Sequence, residues 1–158
     1  NAVLVPPART GDLANVAQRL QVLHELWQDE TLRTTVVFPA GKVMERTGRI
    51  VASAKKDAGG AGEPDPSKFT APEERALWEA WTTAKAAVTQ QLHQRDYAAA
   101  TATYGTLYPP LARFFEKVFI MDENLDVRRN RLALMRGIYT LYANSVGDLC
   151  QLPLPKEL

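Results

Sequence analysis

Little in this chain can bind a metal or attack a substrate. It has one cysteine, Cys150, and two histidines, His24 and His93. A lone cysteine excludes an internal disulfide framework and points to a reducing compartment. No Cys or His pair stands at metal-ligand spacing. His24 falls within a helical pattern and His93 near a helix end, where surface or capping roles are ordinary. Cys150 has no basic neighbour in sequence to lower its pKa. Gly59-Gly60-Ala61-Gly62 lacks the Lys-Ser/Thr that a phosphate loop requires. Long apolar runs are also missing, since none reaches the roughly 18 residues of a membrane helix. The formal net charge is only +1, so no global basic field marks a nucleic-acid binder. Any such role must rest on local clusters of Lys and Arg. No active site is expected.

What is present suits a folded domain. Hydrophobic residues make up 46% of 158 residues, enough for a core at the length of one domain. The opening Asn-Ala-Val-Leu-Val-Pro-Pro is neither a signal peptide nor a natural start, and the chain is expected to continue a longer polypeptide. Leu13, Val16, Leu20, Leu23 and Trp27 recur at helical steps, with Asp12 placed to cap. Leu32 to Phe38 is ambiguous: its β-branched residues suit a strand, and a helix imposed by packing is the alternative. Pro39 and Gly41 are expected to break that segment.

Thr70-Ala71-Pro72-Glu73 reads as a capping box, from Thr70 to Glu73, with Pro72 in the first turn. Leu77, Trp81, Ala84, Val88 and Leu92 predict a helix from Pro72 to His93. Asp96 caps a shorter helix that stops at Gly105. Pro109-Pro110 starts another, with Leu111, Phe114, Phe115 and Val118 as its stripe. A last helix is predicted from Asp122 or Glu123 to Val146, and Pro153 and Pro155 end regular structure. The expected fold is all-α, an antiparallel helical bundle. Residues 1–56 form an N-terminal helical segment, 57–69 a Gly/Pro-rich loop, 70–152 the bundle and 153–158 a tail.

The last helix carries the informative charges. On a helical wheel Arg129 and Arg136 sit at the edge of the apolar face, and Asn130 faces away. Arg128 and Arg131 fall inside the apolar sector. A guanidinium there needs an anion or a projecting helix end. The internal partner would be Glu116, Asp122 or Asp148, and the external one an RNA phosphate or base edge. Arg131 fits the internal role better. Arg128, Arg129 and Arg136 are better placed to reach a ligand, and a cationic first turn opposes the helix dipole. Arg113 and Lys117 form a like-charged i, i+4 pair on the polar face of the preceding helix.

Pro109-Pro110, Phe114-Phe115, Glu116, Val118 and Ile120-Met121, followed by Val127-Arg128-Arg129-Asn130-Arg131-Leu132-Ala133-Leu134, resemble one family. It is the C-terminal anticodon-binding domain, of DALR type, of the glycyl-tRNA synthetase β subunit. Phe69 and Glu73-Glu74-Arg75-Ala76-Leu77-Trp78 resemble its upstream helix start, and Arg49-Ile50-Val51 its short basic segment. Of the DALR letters only the Arg survives in Leu125-Asp126-Val127-Arg128. Ala112 and Ala52 depart from the bacterial pattern. The basic segment looks closer to plant and algal organellar enzymes, in which α and β portions are fused.

The resemblance implies a domain that docks the anticodon stem-loop of tRNA-Gly while the rest of the synthetase attaches glycine. ATP and Mg would serve the parent enzyme, with no cofactor in this chain. The implied RNA contacts are Arg128, Arg129 and Arg136, then Arg113 and Lys117, with Arg46, Arg49, Lys55 and Lys56 as a second patch. Asn130 and Arg131 are structural or RNA-facing. The implied setting is a chloroplast or mitochondrion, with bacterial cytoplasm the alternative, and no membrane partner. A second reading is the same bundle reused as a protein-interaction or scaffold module. A third, the related domain of an arginyl-type synthetase, fits the Phe114-Phe115 segment poorly.

Overall fold

The computed structural model describes residues 13–54 and 62–158. Asp12, Lys55, Lys56 and residues 57–61 of the Gly/Pro-rich loop lie outside them. Among the described residues seven α-helices follow in order: α1 (Leu13–Gln28), α2 (Glu30–Leu32), α3 (Phe38–Ser53), α4 (Pro72–His93), α5 (Tyr97–Gly105), α6 (Tyr108–Lys117) and α7 (Leu125–Ala143). A π-helical turn, Arg33–Val37, joins α2 to α3, and 3₁₀ turns lie at Pro66–Lys68 and Leu149–Gln151. No strand occurs among the described residues, as the all-α reading expects.

The ambiguous segment resolves as helix, and Pro39 does not break it. The Phe38 N–H donates to the Arg33 carbonyl, five residues back. That wider turn makes room for a proline ring that would otherwise strike the carbonyl of the preceding turn. Gly41 also stays helical. Its role is close approach, since a Cβ there would lie 2.5 Å from Leu154 Cδ2. Gly105 ends α5 without a left-handed cap. It lets α5 approach α3, because a Cβ would meet the Ala40 backbone nitrogen at 3.3 Å.

α1 buries a face that overlaps the expected stripe only in part: Leu23 is buried and Val16 and Trp27 are half-buried. Leu13 is 88% exposed and Leu20 is exposed, while Arg19, Leu23 and Leu26 turn inward. Arg19 sets this rotation. Its guanidinium donates to the carbonyls of Ser145 at 2.9 Å and Val146 at 3.4 Å, just past the end of α7. The negative end of a helix dipole there favours a cation.

The core is held between α3, α4, α5, α6 and α7. α3 runs antiparallel against α7, with Gly48 facing Tyr139 and the Met44 sulfur accepting from the Leu149 N–H. α4 crosses α7 where Trp81 lies over Gly137. At the centre Tyr104 and Tyr142 stack with ring centroids 4.8 Å apart. Tyr104 donates to the Ile138 carbonyl, and the Tyr142 hydroxyl pairs with Thr101 Oγ1 at 2.7 Å. Both phenols are therefore buried with partners, which removes the cost of orphaned polar groups. Burial raises the pKa of both.

Helix starts follow local chemistry. The Asp96 carboxylate accepts from the Ala99 N–H, as expected of a cap. α7 starts later than predicted, because Asn124 caps it by accepting from Asp126 and Val127 N–H groups. Pro72 takes the first position of α4, so Ala71 is the cap and Glu74, not Glu73, is the third helical residue. The Glu74 carboxylate accepts from the N–H groups of Ala71 at 2.7 Å and Thr70 at 2.9 Å.

Candidate functional site

α7 presents two kinds of arginine. Arg131 is buried, and its guanidinium is saturated by the fold. Nε donates to Glu74 Oε1 at 2.7 Å, and Nη1 to Asp122 Oδ2 at 2.9 Å and the Phe119 carbonyl at 2.7 Å. Nη2 donates to Thr70 Oγ1 at 3.1 Å. One side chain thus ties together α7, the start of α4 and the turn between α6 and α7. Of the three internal partners considered, Asp122 is the one used, and Glu74 was missed. The signal lay in Pro72: its place at the first helical position makes Glu74 the acid that folds back on the cap.

Electrostatics fit this arrangement. Burial alone would raise the Glu74 carboxyl's pKa, but the Arg131 hydrogen bond and the Ala71 and Thr70 N–H groups outweigh it and hold it below its ordinary value. Asp122 is lowered mainly by the Asn124 N–H and, in addition, by Arg131. Burial disfavours the Arg131 cation, yet Glu74 and Asp122 together raise its pKa. The cluster is charged on both sides across the ordinary pH range.

Asn130 does not face solvent as the wheel predicts. Its Oδ1 accepts from the Asp65 N–H at 2.7 Å and its Nδ2 donates to the Asp65 carbonyl at 2.9 Å. The end of the loop before α4 folds across α7 and covers that face. The amide satisfies one residue of loop backbone in both directions, a structural task.

The remaining cations are more open. Arg129 is exposed and lies 4.0 Å from Asp126. Arg128 and Arg136 are half-buried, while Arg113 and Lys117 are exposed on α6. Thr140 donates to the Arg136 carbonyl one turn on. On α3, Arg46 stacks over the Tyr108 ring at 5.3 Å, and exposed Arg49 pairs with Glu45. Tyr108 opens α6, so the Arg46 contact links the two expected cationic patches through an aromatic ring. Lys55 and Lys56 lie outside the described residues.

Nucleophilic chemistry finds no support. Burial, with Asp148 nearby, pushes the Cys150 thiol up to about 12, so it is a thiol at neutral pH. His24 and His93 are both exposed. Among the described residues no group of three or more His, Cys, Asp or Glu could hold a metal ion. No helix among them is long and apolar enough to cross a membrane.

Comparison with known proteins adds the family. A model described as the DALR anticodon binding domain matches residues 43–146. The chain is similar to the glycine–tRNA ligase beta subunit of Syntrophus aciditrophicus, 28% identical over 130 residues, covering 82% of this chain and 18% of that protein. It is similar to the chloroplastic/mitochondrial glycine–tRNA ligase 2 of Arabidopsis thaliana, 36% identical over 130 residues, covering 80% of this chain and 11% of that protein. A beta subunit from Dinoroseobacter shibae is 46% identical over 74 residues, 47% of this chain and 10% of that protein. The chain thus spans less than a fifth of the length of these curated relatives.

Proposed function

The chain belongs to the family of DALR anticodon binding domains, and from that premise we propose that it docks the anticodon stem-loop of tRNA-Gly on behalf of a glycine–tRNA ligase. The observation that carries this reading is the division of labour on α7. Arg131 is occupied internally, and exposed Arg129 at the edge of the same helix is left to face a ligand. Arg128, Arg129 and Arg136, with Arg113 and Lys117 on α6, hold backbone phosphates, and loop bases are read by stacking and by their Watson–Crick edges. Arg46 and Arg49 extend the surface onto α3. Glycine activation, with its ATP and Mg, belongs to another part of the parent enzyme. No catalytic step runs through the residues of this chain. An organellar setting is supported by the likeness to the chloroplastic/mitochondrial plant ligase, with bacterial cytoplasm the alternative.

A filter-binding titration tests the reading. The expected result is preference for tRNA-Gly, lost when the two anticodon cytosines are replaced. With about four phosphate contacts, log affinity should fall against log salt with a slope of about −3. Equal binding to the altered tRNA would remove specific recognition.

A further inference from the structure

The turn between α6 and α7 carries an aromatic side chain that the fold does not use. α6 ends at Lys117, and Val118 is extended, with φ −116° and ψ 125°. The next residues alternate: Val118 and Ile120 are buried, while Phe119 and Met121 point outward. Phe119 is 76% exposed, whereas the other phenylalanines are buried or half-buried. Met121 and Leu125, 45% and 50% exposed, follow it within six residues, and exposed apolar side chains gathered in one segment mark a binding surface where a lone one would not.

The backbone beneath that ring is fixed. Arg131 Nη1 donates both to the Phe119 carbonyl and to Asp122, and Asp122 Oδ1 accepts from the Asn124 N–H at 2.9 Å. The segment is pinned on either side of Met121, so the ring is presented from a preorganised support. Lys117 precedes it at the end of α6, and Arg128 and Arg129 follow in the first turn of α7. A flat apolar face with cations close in the chain, Lys117 two residues before it and Arg128 near enough to lower the Asp122 carboxyl, matches a nucleotide, with its planar base and anionic phosphate. Glu123 and Asp126, exposed on the same turn, oppose a continuous phosphate track here. The arrangement suits one base, with its phosphate toward Arg128 or Arg129.

We propose that Phe119 is a stacking platform for a single unpaired nucleobase of an RNA loop, presented on a turn whose backbone Arg131 holds. This inference rests on the RNA-binding reading above and specifies where on the domain a base is received.

The test uses the 158-residue chain and a fluorescent hairpin RNA bearing the tRNA-Gly anticodon loop, followed by anisotropy across a salt series. Phe119→Ala should lower affinity about tenfold with the salt slope unchanged, because stacking releases no counterions. Phe119→Trp should restore binding and Phe119→Leu should not. A hairpin with an abasic site at the stacked position should lose affinity for the native chain and lose nothing further with Phe119→Ala. Native-like affinity of the Ala variant, or rescue by Leu equal to that by Trp, would overturn the platform and leave the RNA reading standing. Failure of the native chain to bind any hairpin would remove both. Self-association of the native chain abolished by Phe119→Ala would instead assign the ring to an interface between copies.

Discussion

Arg131 and Arg129 stand two residues apart on one helix and do opposite work. Arg131 is buried, pairs with Glu74 and Asp122, and bonds to backbone on the α6–α7 turn. Arg129 is exposed, with one loose contact to Asp126. The difference comes from surroundings: a carboxylate that already caps α4 is available to one guanidinium and out of reach of the other. Each site therefore predicts a different signature when changed.

The largest effect is expected at the buried cluster. Glu74→Ala removes the buried carboxylate that both caps α4 and pairs Arg131, leaving Asp122 as the guanidinium's remaining acid, and should cost about 3–5 kcal/mol, measured by denaturant unfolding. Pairing it with Arg131→Met should recover part of the loss, since the interior then holds no charge and Asp122, the acid left without its cation, is part-exposed. A simple sum of the two single losses would mean the pair is not coupled.

Next comes the crossing of α4 and α7. A Cβ at position 137 would lie 2.7 Å from Trp81 Cζ2, with the indole itself buried. Gly137→Ala should cost about 1–3 kcal/mol by overpacking, and the melting temperature should fall accordingly. An unchanged melt would show that the two helices can separate without loss.

The acid response is smaller and has a defined sign. The folded pKa of Glu74 lies below its ordinary value. Its contribution is therefore fully present above the unfolded pKa, about 4.3, and is lost as pH falls through the lower folded value. Glu74→Gln should flatten the fall of thermal midpoint with acid in that window. Equal acid sensitivity of both proteins would assign the effect to other carboxylates.

The smallest stability change is expected at Arg129. Arg129→Glu should shift the thermal midpoint by no more than that of an ordinary surface substitution, within about 0.5 kcal/mol, while RNA affinity falls. Unfolding at that position would erase the contrast with Arg131.

Much of the fold was legible because local rules agree with the tertiary answer. The stripe Leu77, Trp81, Ala84, Val88 and Leu92 predicts α4; the first four are buried and Leu92 is half-buried. Asp96 caps α5 as its position suggests. The wheel also placed Arg131 in the apolar sector, where its need for an internal anion is plain. Two of the misses depend on what arrives from far along the chain, and the third, at Pro39, is local. Asn130 was expected in solvent, and Asp65 covers it. Leu20 was expected inside, and Arg19 takes the inward position by meeting the end of α7. Pro39 was expected to break a helix, and a π-helical turn absorbs it.

The sequence by itself determined most of the helices and the Asp96 cap, because those depend on apolar spacing and on side chains within a turn of the backbone they satisfy. It also marked the charges to follow, with arginines gathered near the start of the last helix. Only the tertiary structure decided which arginine is spent on the fold. That choice rests on Glu74, which lies 57 residues before Arg131 and meets it at 2.7 Å. Helical periodicity fixes the direction of a side chain, but its charge is neutralised by whatever packing brings opposite it.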